Sequence, residues 1–353
     1  MTTVVEPTQQ SARTHPVTLV TSDGQRLEFD CASGQSVLEA AAAAGATLPA
    51  SCRQGTCGSC HASVIEGEYE LGAYSSLALP PARRDRGEVL LCRTYPHGCL
   101  SLAVPYGESR ILYGGVPVRD GVITALETVA RDTVRLELRL DSEAGLDCQF
   151  DPGQFVELQI PGSDVKRAYS LANTGNWDGR MEFYIRLRPG GAFSTYLRTA
   201  ARAGARLTVH GPQGAFGLRE TGLKPRWFVA GGTGLAPLLS MVRHMAEWQE
   251  PHPARLLLGV NEEDDVFGVK ELDAVAAELP GFTYDVCVWR PGPDWPNGPA
   301  TPVHLLAAAL PAAPVKPDIY VCGPPPLVDA VARVATEAGL PSDHLYWERF
   351  LAT

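Results

Sequence analysis

The sequence predicts a multidomain chain that passes from α+β to α/β architecture: a small mixed unit around a cysteine loop, a small antiparallel β-barrel, and a doubly wound parallel α/β sheet. Three observations predict it. Three cysteines crowd the loop Ser51–Cys60 and a fourth, Cys92, follows alone. Short alternating stretches with Gly and Pro turns fill the middle of the chain, as in small barrels. From Pro225 onward, apolar runs alternate with helical patterns, as βαβ units require. At 353 residues there is length for two or three cores. The divisions fall at 1–15, a flexible polar extension, then 16–108, 109–222 and 223–353.

With 45% apolar and 20% charged residues, the chain reads as globular past His15. Its net charge of −10 speaks against nucleic acid, which needs a basic face. By segment the balance is −4 for 1–108, +1 for 109–222 and −7 for 223–353. The acidic first part suits a basic protein partner; plain solubility is the bland alternative. No basic-then-apolar leader opens the sequence, and the apolar runs near Ala40 and Leu305 are too short to span a bilayer. The expectation is a cytoplasmic protein with no membrane segment. Nine cysteines in that compartment argue for metal and redox use before disulfides. Cys31, Cys99, Cys148 and Cys287 stand singly and read as small core residues.

Pro16–Val20 and Gln25–Asp30 read as a hairpin turned at Ser22-Asp-Gly24. Ser36 then opens a helix, with Glu39 three residues on as in a capping box and Gly45 as the stop. Cys52, Cys57 and Cys60 follow in the C-x4-C-x2-C spacing of a plant-type [2Fe-2S] site, with Cys92 as fourth ligand. Gly55 and Gly58 allow amide N–H groups to turn toward the sulfurs. Zinc is the rival reading, but structural zinc prefers two short ligand pairs. His61 reads as a strand residue. Strands at His61–Ile65 and Val89–Leu91 bracket a Pro-rich loop. This order resembles the β-grasp fold of plant-type ferredoxins over Pro16–Pro105.

Ser109–Pro117 reads as a linker. Val122–Val129, Thr133–Leu140 and Phe155–Ile160 read as barrel strands, followed by Arg167-Ala-Tyr-Ser170, a hairpin through Asn173–Gly179, and Met181–Arg188. Gly190-Gly-Ala-Phe-Ser194 opens a helix. These pieces suit a flavin. The glycines admit a pyrophosphate, the helix start offers N–H groups, and the Ser194 hydroxyl is a further donor. Arg167 brings fixed positive charge, Tyr169 a flat ring, and Ser170 a hydroxyl near N5. Singly, each is an ordinary strand or helix start; their order gives them weight. Arg206–Gly211 is the last barrel strand and Gly211–Gly214 a turn.

In the last part, Arg226–Ala230 is a buried strand, Gly231–Pro237 a glycine turn and Leu238–Trp248 a helix. Strands at Leu256–Val260, Thr283–Trp289 and Asp318–Val321 alternate with helices at Val269–Glu278, Pro302–Leu310 and Leu327–Ala338. Gly231, Gly232, Thr233 and Gly234 occupy the place of a dinucleotide pyrophosphate. After Val260 come Glu262, Glu263, Asp264 and Asp265, which would repel the 2′-phosphate of NADPH; NADH is the expected donor, and a solvated acidic loop the bland alternative. Cys322-Gly-Pro324 follows a strand where ligands gather, so Cys322 is either a nicotinamide contact or a structural thiol. In the aromatic tail, Phe350 suits one flavin face and Glu348 the nicotinamide amide.

Together these motifs resemble the ferredoxin-NADP⁺ reductase superfamily with a plant-type ferredoxin domain in front. The nearest likeness is to the reductase component of soluble methane monooxygenase and its relatives acting on propane, alkenes and phenols. Ser51–Arg53, Leu90–Thr94, Gly153–Val156, the run Ile185–Ser194 and Arg349–Ala352 carry it over nearly the full length. The resemblance implies a [2Fe-2S] ferredoxin domain, an FAD-binding barrel and an NADH-binding sheet. It also implies a separate hydroxylase component of a multicomponent di-iron monooxygenase as acceptor. Arg167, Ala168, Tyr169, Ser170, Ile185, Arg186, Leu187, Gly191, Ala192, Phe193 and Ser194 would belong to the flavin site. Gly231–Gly234, Cys322, Gly323, Pro324 and Phe350 would serve the nucleotides, with Ser170, Cys322, Glu348 and Phe350 at the reacting centre. Phe350 stands where many members carry tyrosine. A Rieske dioxygenase or sugar-dehydratase partner, and a redox sensor without turnover, are the alternatives.

Overall fold

The computed structural model describes residues 13–141 and 147–350. The extension up to residue 12 and the end of the Arg349–Ala352 motif lie outside them. The chain divides into two compact units, residues 1–115 and 116–353.

In the first unit, β1 (Thr14–Val20), β2 (Arg26–Ala32), α1 (Val37–Ala43), β3 (Ala46–Thr47), β4 (His61–Leu71), α2 (Pro81–Arg84), β5 (Glu88–Leu90), β6 (Thr94–Ala103) and β7 (Leu112–Tyr113) follow in order. The sheet runs β2-β1-β6-β4-β5, with β1 and β6 parallel. The capping box is formed: Glu39 N–H donates to Ser36 Oγ at 3.3 Å and Ser36 N–H to Glu39 Oε2 at 3.0 Å. It starts α1 so that Val37, Leu38, Ala40 and Ala41 face the sheet. The middle strand β6 had no clear strand signature, because Pro96 and Gly98 interrupt it. Beside Gly67 the register shifts, with β6 carrying the extra residues, and the two backbones close up there; a Cβ on Gly67 would sit 2.2 Å from the Cys99 carbonyl. On β6 the pleat turns Leu100 and Leu102 inward, so Cys99 is exposed, against its expected core role. Cys31, Cys148 and Cys287 are buried as expected. The expected linker is not free chain throughout, since Leu112–Tyr113 pairs with Ala46–Thr47.

The second unit begins with a six-stranded antiparallel sheet. Its elements are β8 (Val118–Ala130), β9 (Thr133–Leu140), β10 (Phe155–Gln159), β11 (Lys166–Ser170), β12 (Arg180–Arg186), α3 (Ala192–Thr199) and β13 (Arg206–Gln213), in strand order β11-β10-β13-β8-β9-β12. Val134, Leu136, Leu138 and Leu140 point into its core as their alternation requires. Gly211–Gln213 continues β13 and is not a turn: Gly211 takes a positive φ against Val156, where β13 carries the extra residue of a bulge opposite β10.

A five-stranded parallel sheet completes the unit. It comprises β14 (Arg226–Gly231), α4 (Leu235–Glu247), β15 (Ala254–Val260), α5 (Val269–Glu278), β16 (Phe282–Val288), α6 (Pro302–Ala309), β17 (Asp318–Gly323), α7 (Pro325–Glu337) and β18 (Leu345–Arg349), ordered β16-β15-β14-β17-β18. One core lies under α4 and α5, the other under α6 and α7. Helix α4 starts earlier than expected, at Leu235, because Pro237 fits a first turn that needs no amide donor. The aromatic tail is a fifth strand, with Glu348 level with Cys322. The strand order reverses between β14 and β17, and ligands gather at the carboxyl ends of strands at such a point.

Candidate functional site

The cysteine loop wraps tightly. Arg53, Gly55 and Gly58 adopt positive φ, and a side chain on Gly55 would strike Arg93 and Tyr74. The backbone N–H groups of Gln54, Thr56 and Cys57 thereby point at Cys52 Sγ from 3.3 to 3.4 Å, and Ser59 N–H at Cys57 Sγ from 3.5 Å. The sulfurs gather two and two. Cys52 and Cys57 each donate a backbone N–H to the other's sulfur. Cys60 Sγ lies 3.3 Å from Cys92 Sγ. Within each pair one thiol is held down and the other pushed up, first by their mutual hydrogen bond: Cys52 falls to about 4 while Cys57 rises, and Cys92 falls while Cys60 rises. Sulfurs on one tetrahedral ion stand about 3.8 Å apart, given metal–sulfur bonds of about 2.3 Å. Two pairs with several amide donors therefore fit a two-iron cluster. Among the described residues no group of three or more such side chains is arranged to hold a single ion. His61 hydrogen-bonds the Ala78 carbonyl at 3.1 Å, as a strand residue would.

In the second unit, β11 presents Arg167 and Tyr169 on one face and Ala168 and Ser170 on the other. Tyr169 leans on Phe193 with ring centroids 5.1 Å apart. Arg167 is half-buried, its guanidinium on the Lys166 carbonyl. Gly190 takes a positive φ with open space above it, and Gly191 precedes α3. Ser194 Oγ accepts Arg188 N–H at 2.9 Å, which leaves its hydroxyl hydrogen as a donor. Ile185, Leu187 and Phe193 are packed into the barrel core, while Arg186 and Ala192 are exposed. The apolar members of the predicted flavin set thus shape the wall, and the exposed ones are left to contact a ligand.

The barrel and the parallel sheet meet at Glu348. Ser170 donates its hydroxyl to Glu348 Oε2 at 3.2 Å, and Cys322 Sγ lies 4.0 Å from the same oxygen. Glu348 keeps part of its surface exposed, yet desolvation by the protein around its carboxyl raises its pKa to about 7, against the opposing Ser170 hydrogen bond. Cys322 is buried, and that pushes its thiol well up. Phe350 follows the strand, anchored by its N–H to the Gly323 carbonyl at 2.9 Å.

The glycine segment divides by task. Side chains on Gly231 and Gly234 would strike Leu327 and the Cys322 carbonyl, so these positions bring the start of α4 against β17 and Pro324. Gly232 has φ +53° and nothing within 4 Å of its missing Cβ. With Thr233 it forms an open cradle at a helix start, which suits a pyrophosphate.

Three features were missed by sequence reasoning. Glu182, fully buried on β12, is ringed by Arg135, Arg180 and Arg243 at 3.4, 3.3 and 3.2 Å. Arg243 also reaches the Ala172 carbonyl, which ties α4 to the barrel. Arg131, between β8 and β9, binds Glu262 at 2.6 Å and Asp265 at 2.8 Å, and Arg290 reaches Glu262 at 3.3 Å. The acidic loop is thus not a bare repulsive patch. No local signal announces partners that lie 131 and 134 residues away in sequence.

A cysteine loop built for two irons, a barrel with an open phosphate cradle and a parallel sheet with a second one define an iron–sulfur flavoprotein oxidoreductase. Residues 20–97 match the 2Fe-2S iron-sulfur cluster binding domain, residues 120–217 the oxidoreductase FAD-binding domain, and residues 228–333 the oxidoreductase NAD-binding domain. The chain is 36% identical to the toluate 1,2-dioxygenase electron transfer component of Pseudomonas putida, over 96% of this chain and 99% of that one. It is 42% identical to methane monooxygenase component C of Methylosinus trichosporium, over 74% and 78%. A solved cytochrome P450 reductase from Amycolatopsis superposes with a TM-score of 0.69 at 30% identity, over 95% and 98%. The chain belongs to the ferredoxin reductase-like family of NADH-dependent iron–sulfur flavoprotein reductases, whose cofactors are FAD, NAD and a [2Fe-2S] cluster. Among the described residues no helix is long and apolar enough to cross a membrane.

Proposed function

We propose that the chain is the electron-transfer component of an oxygenase system, drawing on NADH and delivering electrons singly to the hydroxylase of a soluble di-iron monooxygenase. When bound, FAD and the [2Fe-2S] cluster supply the conversion of a two-electron hydride donor into one-electron delivery. Cys52, Cys57, Cys60 and Cys92 would hold the cluster, and the loop amides would stabilise its added negative charge. Arg167 and the start of α3, with Gly191, Ala192 and Ser194, would receive the flavin phosphates, and Tyr169 would flank the ring. Gly231–Gly234 receive the nicotinamide nucleotide.

The observation that carries this reading is Glu348, which joins Ser170 of the barrel to Cys322 of the sheet. One carboxyl between the flavin-side hydroxyl and the nucleotide-side thiol marks where two ligands would meet. Ser170 has one hydroxyl hydrogen, which it would give either to Glu348, as here, or to flavin N5; Glu348 would accept from the nicotinamide amide, and Phe350 would cover the ring face.

The relatives named above serve a dioxygenase, a methane monooxygenase and a cytochrome P450. The likeness to methane monooxygenase component C supports the di-iron acceptor, and the end-to-end match to the toluate dioxygenase component supports a Rieske oxygenase as the second reading. Two tests follow. NADH should bleach the flavin absorbance of the purified protein, and a redox sensor without turnover would not respond. Cys57→Ser should stop reduction of a protein acceptor while sparing reduction of ferricyanide by NADH. Loss of both activities in folded, FAD-loaded protein would overturn the two-stage path. Coupled turnover with purified di-iron and Rieske oxygenases separates the two acceptors.

A further inference from the structure

Every acid of Glu262–Asp265 but Asp264 has its side chain engaged. Glu262 Oε2 takes Arg131 Nη1 and Oε1 takes Arg290 Nη2. Asp265 Oδ1 takes Arg131 Nη2, and Oδ2 takes Glu262 N–H at 3.2 Å. Glu263 Oε1 takes Gly292 N–H at 2.6 Å. The two arginines are themselves fixed by backbone, Arg131 N–H on the Asp264 carbonyl and Arg290 N–H on the Asn261 carbonyl, both at 2.9 Å. The Arg290 guanidinium also stacks 5.1 Å from the Trp289 ring. The place matters. Val260 ends β15, next to the strand that carries the pyrophosphate cradle, and Val288 ends β16, the strand beyond it at the sheet edge. In doubly wound sheets this edge meets the ribose 2′ position, where a carboxylate selects the hydroxyl and an arginine the phosphate.

We propose that Arg131 and Arg290 form a latent 2′-phosphate site that Glu262 and Asp265 keep occupied. The acids determine specificity by holding the two guanidiniums, and not by bare repulsion alone. Two arginines with forked donors on one edge are a ready phosphate receptor. A 2′-phosphate must displace carboxylates from both and leave those carboxylates unpaired beside a dianion, so NADPH is rejected. Because the ion pairs are partly solvent-exposed, they are weak enough for neutral amides to release the arginines. This inference rests on the nucleotide site assigned above.

The test is calorimetric binding of adenosine 2′,5′-bisphosphate to the full-length, FAD-loaded protein. The double variant Glu262→Gln, Asp265→Asn is expected to bind it at least tenfold more tightly than wild type, with a gain that shrinks at high salt. The ratio of kcat/KM for NADH over NADPH should fall at least tenfold. Adding Arg131→Gln and Arg290→Gln should return the affinity to near the wild-type value. If the double variant is lost to misfolding, Glu262→Gln alone should show a severalfold gain that Arg131→Gln cancels. No gain on removing the acids, or a gain that survives removal of both arginines, overturns the proposal. Failure of the underlying site shows separately, as wild-type protein that does not oxidise NADH.

Discussion

Glu348→Gln isolates the carboxyl at which the barrel and the sheet meet. Burial moves its pKa from 4.5 to about 7, and the Ser170 hydroxyl offsets only part of that. An ionised carboxyl so displaced costs the fold about 3 kcal/mol, from about 1.4 kcal/mol for each tenfold change in proton affinity. Its partial exposure makes this an upper bound. The sign follows from the proton count. Between pH 4.5 and 7 the folded protein keeps a proton that the unfolded chain has released, so stability falls as pH rises through that window. The contribution is whole below about pH 4.5 and gone above about pH 7.

Glutamine is neutral in both states, retains an oxygen to accept from Ser170, and removes this slope. Wild type and variant should therefore unfold together near pH 4.5 and diverge above it. By pH 8 the variant should be more stable by up to about 3 kcal/mol, or roughly 6–12 °C for a unit of this size. Tryptophan-fluorescence melts of the FAD-loaded proteins from pH 5 to 8.5 measure it. Ferricyanide reduction by NADH provides the second readout, because an inflection near pH 7 in the wild-type kcat profile should be absent from the variant. Midpoints that stay parallel across the range would refute the assignment of a raised pKa to Glu348.

Two further substitutions separate packing from ligand contact in the glycine segment. Gly234→Ala would place a Cβ 2.1 Å from the Cys322 carbonyl oxygen and should lower stability by about 3 kcal/mol or more, read from denaturant midpoints. Gly232→Ala meets no neighbour and should cost only about 1 kcal/mol for its positive φ, yet raise KM for NADH at least tenfold by filling the cradle. Equal effects of the two on stability would refute that division. Glu182→Gln removes the buried charge shared by Arg135, Arg180 and Arg243 and should destabilise the protein by about 3–5 kcal/mol; a loss below about 1 kcal/mol would show that the arginines find other partners.

What was legible in the sequence is what neighbouring residues decide. The α1 capping box needs only Ser36 and Glu39, and α5 spans the predicted Val269–Glu278 because its apolar spacing is local. The alternation of Thr133–Leu140 gave β9 its face as well as its bounds. Elements that depend on distant partners were harder. Strand β6 hides behind Pro96 and Gly98 and is a strand because β1 and β4 flank it. Likewise, β18 lacks a periodic signature and is recruited by the open edge of β17.

The site divides along the same line, and the acidic loop shows why. Residue type alone placed four carboxylates at the end of β15, and the sum of their charges argued for NADH. The fold brings Arg131 across from the barrel and Arg290 from the end of β16, which cancels much of that sum at 2.6 to 3.3 Å. A charge count along a chain treats each group as solvated, whereas selectivity depends on which charges a ligand must displace. The preference for NADH can thus remain while its cause moves from the number of acids to the partners they hold. The same reasoning applies to Ser170, Cys322 and Glu348, whose meeting at one oxygen no spacing rule anticipates and whose chemistry depends on that meeting.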